Sequence, residues 1–258
     1  YLYALPYRLD NSPHIARMFT ALINLIGVAV VHMIGTRYFG RITGLLAMFF
    51  FAINPVAVHH SRFIWNSNLA APFVMLFVLS TLLGYYDRKT SARIAHLPML
   101  SLAGQCHPSL FLLAPLAIIG WMHAYRFSTA SRQRLIAHTC LSGLLALALM
   151  TPWIIALYKH IHTLEYLRPI STGSPPGWQA VSNTIFSALG GSFGTYAVDA
   201  PPLPQFAILT LVASAWLLAR GLFRQDGLPG LLVVLGFFVV PTVVVVLGSQ
   251  QMQELTAS

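Results

Sequence analysis

The sequence consists mainly of long apolar blocks separated by short polar gaps. A membrane-spanning helix needs about 20 predominantly apolar residues, and six blocks meet or approach that length. Only 8% of the residues are charged, whereas soluble domains have about 25%. This number of charges is too small to cover the surface of a water-soluble protein. We therefore predict an all-α, polytopic transmembrane helix bundle with about six full spans. The predicted spans are residues 18–36, 42–58, 68–86, 136–158, 205–223 and 229–247.

A seventh apolar block, residues 97–125, is too long for one comfortable span and contains Gln105, His107 and Pro108 near its middle. Proline removes a helix hydrogen bond, and such a break survives at membrane depth only where it is buried in protein or faces water. The block is therefore either one tilted helix or a broken hairpin of two short half-helices. The hairpin returns to the side of the membrane on which it began.

The distribution of Lys and Arg separates these two topologies. With the hairpin, ten basic residues share one side of the membrane and five share the other, whereas a single crossing gives seven and eight. Cytoplasmic loops are enriched in Lys and Arg, so the biased distribution favours the hairpin. It also accounts for the net charge of +9 without a nucleic-acid partner. The ten residues predicted to be cytoplasmic are Arg37, Arg41, Arg88, Lys89, Arg93, Arg126, Arg132, Arg134, Arg220 and Arg224.

We predict a single membrane domain over residues 1–258. Residues 1–17 form an external interfacial segment, residues 18–158 the helical core, and residues 205–258 the C-terminal helices. Between them lies one long external loop, residues 159–204, and loops of such length are uncommon unless they are functional or disordered. The sequence begins at a tyrosine inside an aromatic-rich stretch, so we expect the chain to be a fragment.

The densest polar cluster is the predicted external turn between the second and third spans. A guanidinium donates two parallel hydrogen bonds to phosphate oxygens, and the imidazoles and amides beside it are suited to a diphosphate or to sugar hydroxyls. The alternative is a solvated turn in which the arginine extends to the membrane surface and an asparagine caps the next helix. The residues concerned are His59, His60, Arg62, Asn66 and Asn68.

Two further positions are candidates for a binding site. His107 lies at the break of the hairpin, where a polar group either marks a cavity or bonds a backbone carbonyl that Pro108 leaves free. Lys159 follows the span 136–158 on the external side. The nearby His160 and His162 lack a third ligand at suitable spacing, so we predict no metal site, and no cofactor motif is found.

Carboxylates are scarce. The sequence contains six, and none lies in a catalytic motif. An enzyme that needs a general base would have to use one of them or a residue outside this sequence. They are Asp10, Asp87, Glu165, Asp199, Asp226 and Glu254.

Several segments within residues 1–160 resemble bacterial glycosyltransferase family 39, which includes protein O-mannosyltransferases and the aminoarabinose transferase of lipid A. That family belongs to the GT-C superfamily of membrane glycosyltransferases. The segments are Ala16-Arg17, Gly35-Thr36-Arg37-Tyr38-Phe39-Gly40, Gly44-Leu45-Leu46-Ala47, Asn54-Pro55, Ser61-Arg62-Phe63-Ile64-Trp65-Asn66-Ser67-Asn68 and Thr151-Pro152-Trp153.

The resemblance implies a transferase in the plasma (inner) membrane whose active face is external. A sugar would pass from a polyprenyl-phosphate donor to an acceptor hydroxyl on a glycan, lipid or protein. Arg62, and after it Lys159, would contact the donor phosphate, because a cation there stabilises the charge that develops on the leaving group. The pocket would be lined by His59, His60, Asn66, Asn68 and His107.

The family's catalytic acid lies in the first external loop, which we expect upstream of Tyr1, so no residue of this sequence is assigned as the base. Two other functions stay open at this point. A transporter or flippase of a lipid or small solute also uses broken helices with polar residues at mid-depth. Such proteins usually contain paired repeats, which this sequence does not show. A non-catalytic membrane scaffold would not depend on Arg62.

Overall fold

The chain is described here from a computed structural model over residues 4–10, 12–54, 57–58, 61–62, 64, 66–127, 131–159, 212, 216 and 227–236. Two compact units are present, Tyr1–Leu149 and Met150–Ser258. Every regular element in the described ranges is helical, which confirms the all-α class. The organisation as a single membrane domain stays a prediction.

Eight α-helices have defined bounds among the described residues, and short turns join the helices of the first unit. A π-helical turn, Leu82–Tyr86, extends α4, and 3₁₀ turns at Asn66–Leu69 and Pro108–Leu113 precede α4 and α6. The helices are α1 (Ala4–Tyr7), α2 (Pro13–Phe39), α3 (Arg41–Ala52), α4 (Ala70–Thr81), α5 (Thr90–Cys106), α6 (Ala114–Phe127), α7 (Arg132–Lys159) and α8 (Leu228–Val234).

Three helical segments among the described residues are long and apolar enough to cross a membrane: Pro13–Phe39, Leu110–Phe127 and Arg132–Ala156. Two shorter apolar helices are Arg41–Ala52 and Ala70–Tyr86. Six full spans are therefore not confirmed. Apart from Lys159, the predicted loop 159–204 lies outside the described residues. The predicted span 205–223 also lies outside them, except for two residues. Most of the predicted span 229–247 lies outside them as well.

The second predicted span, residues 42–58, is shorter in the structure. α3 has 12 residues, which at 1.5 Å per residue is about 18 Å, against a hydrocarbon core of about 30 Å. The helix ends here because Pro55 disfavours the α conformation at Asn54. The Asn54 side chain then accepts a hydrogen bond from the Ala57 amide at 3.2 Å, which forms a local turn.

α2 and α3 form a hairpin whose helices approach closely through glycines. The connecting residue Gly40 has a φ of 99°, which a side chain rarely allows. A Cβ added at Gly35 would lie 2.6 Å from the Gly44 Cα, and one added at Gly44 would overlap Thr36. Small residues at such crossings are typical of helices packed within membranes.

α5 and α6 form the second hairpin. α5 starts directly after the turn that ends α4, and α6 returns to the same place. In the middle of α6, a Cβ on Gly120 would lie 2.8 Å from Cγ2 of Thr81, and at the end of α6 Arg88 Nη2 donates to the Phe127 carbonyl at 3.2 Å. These contacts bring the end of α6 back to the turn before α5, which is the arrangement that the predicted hairpin requires, while its topology in the membrane stays a prediction. The arms are longer than half-helices, with 17 residues in α5 and 14 in α6.

α7 runs parallel to α5, and hydrogen bonds join the two helices turn by turn. Three bonds, each 3.2 Å long, connect the Leu97 amide to Ser142 Oγ, Ser101 Oγ to the Ala146 carbonyl and Gln105 Nε2 to the Leu149 carbonyl. Both sets of residue numbers rise together, so the two helices point the same way. Such side-chain bonds hold helices together where lipid supplies no hydrophobic driving force.

The helices of the first unit thus define two ends. The basic end contains Gly40, the turn Asp87–Lys89 and Phe127. The turn end contains the 3₁₀ turn Asn66–Leu69 and His107, because α4 and α5 connect the two ends. The 3₁₀ turn packs against α2, α4 and α5.

Candidate functional site

The turn end carries the exposed cation that the sequence places in a phosphate site. After α3, the chain makes a compact turn in which the Ser61 amide donates to the Ala57 carbonyl at 3.0 Å. The Ser61 hydroxyl donates to the Val58 carbonyl at 2.8 Å. Arg62 follows at once and is exposed. A permanently charged guanidinium on an ordered turn is accessible to an anionic ligand.

Asn68, a predicted pocket residue, is only 7% exposed. Its backbone carbonyl accepts a hydrogen bond at 3.1 Å from Asn24 Nδ2, which also donates to the Thr20 carbonyl at 2.9 Å. The asparagine of α2 therefore fixes the 3₁₀ turn to that helix. The alternative role of a helix cap is not found for α4, whose N-cap residue is Leu69.

His107 lies at the tip of the α5–α6 hairpin and is exposed. Its backbone is extended, with φ −153° and ψ 117°. The amide donates to the Ala103 carbonyl at 3.0 Å, and the carbonyl accepts from the Leu110 amide at 3.0 Å. The break is thus bonded on both sides, and the imidazole lies on the same end of the unit as Asn68.

The side chain of Gln105 stabilises the backbone next to the break at His107. Its Nε2 donates to Ser101 Oγ at 3.3 Å and to the Leu149 carbonyl of α7 at 3.2 Å. Phe111, in the 3₁₀ turn after the break, lies against Gly104, where an added Cβ would overlap the ring. The backbone around His107 is therefore held by both α7 and the returning chain.

The other predicted site residues cannot be placed together with these three. His59 and His60 lie outside the described residues, and the side chains of Asn66 and Lys159 are outside them too. The structure therefore brings Asn68 and His107 to one end, beside the turn that carries Arg62.

At the basic end, Asp87 is engaged in the fold. Its Oδ2 accepts hydrogen bonds from Nε of Arg37 and, at 2.9 Å, from the Tyr38 hydroxyl. These contacts join the end of α2 to the turn after α4. Among the described residues, the other carboxylate is Asp10, which is exposed.

The sequence analysis missed a buried polar network at the basic end. Arg93 is 3% exposed, and its Nε and Nη2 donate to the Gly84 carbonyl at 3.2 and 3.0 Å. His96 is 1% exposed. Its Nε2 lies 3.0 Å from the Tyr85 hydroxyl, and its Nδ1 contacts the Arg93 carbonyl and, at 3.2 Å, Ser142 Oγ. The network joins α4, α5 and α7.

One sequence signal could have indicated this network. Ser101 and Gln105 interrupt an apolar stretch at a spacing of four residues, which places both on one side of a helix, and His96 precedes them in the same helix. Polar residues on one helical stripe within an apolar segment indicate a contact with another helix. The partners on α7, Thr139 and Ser142, are not recognisable from the sequence alone.

Comparison with known protein families identifies a match. The model of a family described as dolichyl-phosphate-mannose-protein mannosyltransferase matches residues 1–156, which is more than half of the 258 residues. The matched range contains the turn with Arg62, the break at His107 and most of α7. No curated protein and no solved structure matches this chain significantly.

Proposed function

The chain belongs to the dolichyl-phosphate-mannose-protein mannosyltransferase family, a family of GT-C glycosyltransferases, and from this membership we propose that it transfers a sugar from a polyprenyl-phosphate donor to an acceptor hydroxyl. The observation that carries the proposal is the extent of the match, which covers both hairpins of the described unit. It favours a transferase over the transporter alternative.

We place the donor phosphate at Arg62. In such a transfer, the acceptor oxygen attacks the anomeric carbon and the bond from that carbon to the phosphate oxygen breaks. The electron pair leaves with the polyprenyl phosphate, and the hydroxyl proton passes to a base. A guanidinium that forks onto the phosphate stabilises the charge as it develops. Arg62 is exposed on the turn and is suited to this role.

The remaining predicted residues complete the proposed site. His107, exposed at the neighbouring break, is proposed to bind sugar or phosphate oxygens. His59, His60 and Asn66 are proposed as pocket residues, and Lys159 as a second contact to the phosphate. Asn68 is proposed to support the wall of the pocket, because it is buried and its carbonyl accepts a hydrogen bond from Asn24.

The turn end is proposed to face the outside of the plasma membrane. Basic residues of the described unit concentrate at the opposite end, and cytoplasmic loops are enriched in them. Labelling of a single cysteine placed at Arg62 in intact cells would test this orientation. The residues at the basic end are Arg37, Arg41, Arg88, Lys89, Arg93, Arg126, Arg132 and Arg134.

The test of the site is Arg62→Ala in the full-length protein. Radiolabelled polyprenyl-phosphate mannose is supplied in vesicles, and label is followed into protein, glycan and lipid fractions. We expect a loss of about 100-fold in transfer rate, as when one stabilising donor is removed from a transition state. Arg62→Lys, which keeps the charge but not the fork, should lose less.

The matched control is Arg41→Ala, an equally exposed arginine at the basic end. It should leave transfer unchanged. If Arg62→Ala and Arg41→Ala are equally active, the donor phosphate does not bind at Arg62. If the wild-type protein transfers no label but moves a lipid or solute across the vesicle membrane, the transferase assignment itself is wrong.

A further inference from the structure

Three arginines from three separate segments contact residues in the last turn of α6. Arg88 Nη2 donates to the Phe127 carbonyl at 3.2 Å. The Cζ of Arg126 lies 5.2 Å from the centroid of the Phe127 ring, and the Cζ of Arg132 lies 4.7 Å from that of Tyr125. We call Arg88, Arg126 and Arg132 the arginine cluster.

The fold brings the cluster together. Beneath it, Tyr85, Ala124 and Leu135 form a buried apolar contact, against which Trp121 packs. These residues belong to the π turn after α4, to α6 and to the first turn of α7. Three segments that are distant in sequence are therefore packed side by side, and the contact holds the backbone positions from which the arginines extend.

The cluster concentrates positive charge at the surface. The neighbouring carboxylate, Asp87, is bonded to Arg37 and Tyr38. α5 and α7 both begin at this end, and neither has an acidic residue in its first turn. Like charges gathered on one surface repel one another, and a bound anion relieves the repulsion. Guanidinium groups bind phosphate oxygens in a bidentate manner.

An apolar stripe leads along α6 to the cluster. Ile118, Met122 and Tyr125 are 57%, 59% and 41% exposed, and their spacing of four and three residues places them on one face of the helix. Tyr125 stacks on Trp121 with 5.2 Å between ring centroids. Aromatic rings of this kind are enriched at the headgroup level of a membrane.

From this arrangement we propose that the arginine cluster and the α6 stripe bind an anionic phospholipid. One acyl chain lies along Ile118 and Met122, and the phosphate is held by Arg126 and Arg132. Clusters of basic residues at the end of a spanning helix attract anionic lipids, and here the apolar stripe supplies the complementary contact for the chain. This site is at the opposite end from the proposed donor site and does not depend on sugar transfer.

Trp121 provides a local readout of the proposed lipid. The full-length protein in neutral detergent is titrated with phosphatidylglycerol brominated on its acyl chains, and quenching of tryptophan fluorescence is measured. Brominated phosphatidylcholine is the neutral comparison. Trp121→Phe identifies the part of the signal that arises at the stripe, since the chain has five tryptophans. We expect saturable quenching by phosphatidylglycerol that Trp121→Phe removes.

The charge is tested with Arg126→Gln/Arg132→Gln. Each basic residue near an anionic lipid surface contributes roughly fivefold in affinity, so the double variant should bind phosphatidylglycerol about 30-fold more weakly. The control is Arg8→Gln/Arg17→Gln, which removes two exposed arginines elsewhere and should bind as the wild type does. Where the Gln variant fails to fold, Arg126→Lys/Arg132→Lys retains the charge and should lose less than fivefold.

Three outcomes would overturn the proposal. In the first, phosphatidylcholine quenches Trp121 at the same concentration as phosphatidylglycerol. In the second, the control variant weakens binding as much as Arg126→Gln/Arg132→Gln does, or the Lys variant folds but no longer discriminates between the two lipids. In the third, Trp121→Phe leaves the quenching by phosphatidylglycerol unchanged, which would show that the lipid does not bind at the α6 stripe.

Discussion

The two ends of the described helical unit contain the same kinds of polar residue in opposite environments. At the turn end, Arg62 and His107 are exposed. At the basic end, Arg93 and His96 are 3% and 1% exposed, and both form hydrogen bonds to the neighbouring helix turns. An arginine and a histidine are thus available to a ligand at one end and are used to join helices at the other.

The difference indicates how a polar residue in an apolar chain should be interpreted. Burying a charged or polar group is costly unless its hydrogen bonds are formed, and the network around His96 forms them. That network contributes to helix association, which lipid does not drive. Arg62 and His107 are exposed, whereas Arg93 and His96 are buried, so we expect substitutions at the turn end to alter function and those at the basic end to alter stability.

The largest expected loss of stability follows substitution of Gly84, where the π turn crosses α5. A Cβ at this position would lie 2.8 Å from both the Cα and the amide nitrogen of Arg93. Because these are backbone atoms, Gly84→Ala must separate the two segments and disturb the Arg93 hydrogen bonds. Overpacking of this kind should lower the free energy of unfolding by about 3 kcal/mol, measured by denaturation in detergent micelles.

The control for this prediction is Gly143→Ala in α7. A Cβ there would meet only Leu97 Cδ1, at 4.0 Å, and alanine favours a helix over glycine by about 1 kcal/mol. The control should be neutral or stabilising. Equal stability of the two variants would show that the crossing at Gly84 is loose, and the basic end would then not be the rigid end.

The next largest effect on stability is expected at His96, and the exposed His107 provides the comparison. His96→Ala removes contacts to Tyr85 and Ser142 and leaves the Arg93 carbonyl without its imidazole partner. It should lower the free energy of unfolding by about 2 kcal/mol. His107→Ala should change it by less than about 0.5 kcal/mol, as for other exposed positions. We expect the latter variant to lower sugar transfer by about tenfold.

Thermal unfolding and donor transfer, measured on both variants, decide between the assigned roles. A folded His96→Ala protein as stable as the wild type would contradict the structural role of the buried network. A His107→Ala protein with full transfer activity would remove His107 from the proposed pocket and leave Arg62 as its exposed candidate among the described residues.

Parts of this architecture were predictable because they depend on local properties. The first predicted span, 18–36, lies within α2, and the span 136–158 lies within α7, since length and hydropathy are enough to identify such helices. The hairpin was predictable from the bias of Lys and Arg. The end of α3 was misplaced because the apolar residues after Asn54-Pro55 concealed the helix stop.

Contacts between helices were not predictable in the same way. The bond between His96 and Ser142 joins residues 46 positions apart, and nothing in one sequence states which helices are neighbours. The same applies to the site: Asn68 was expected in the pocket wall, but its burial follows from Asn24 on another helix. Arg62 and His107 are exposed, and their contact with a donor stays a prediction.

The smallest expected change in stability follows substitution of Gln105. This residue joins α5 to α7 next to the exposed break at His107. Gln105→Leu keeps the apolar stem but removes the bonds to Ser101 and Leu149. Hydrogen bonds between membrane helices contribute about 0.6 kcal/mol on average, so the loss of stability should be close to that value. Gln133→Leu, an exposed position at the start of α7, is the control.

Since Gln105 supports the backbone beside His107, we expect the transfer activity of Gln105→Leu to fall more than the loss of stability of this variant implies. Equal activity of the two variants would show that the break keeps its position without α7, and the turn end would then be independent of the helix pair that supports it.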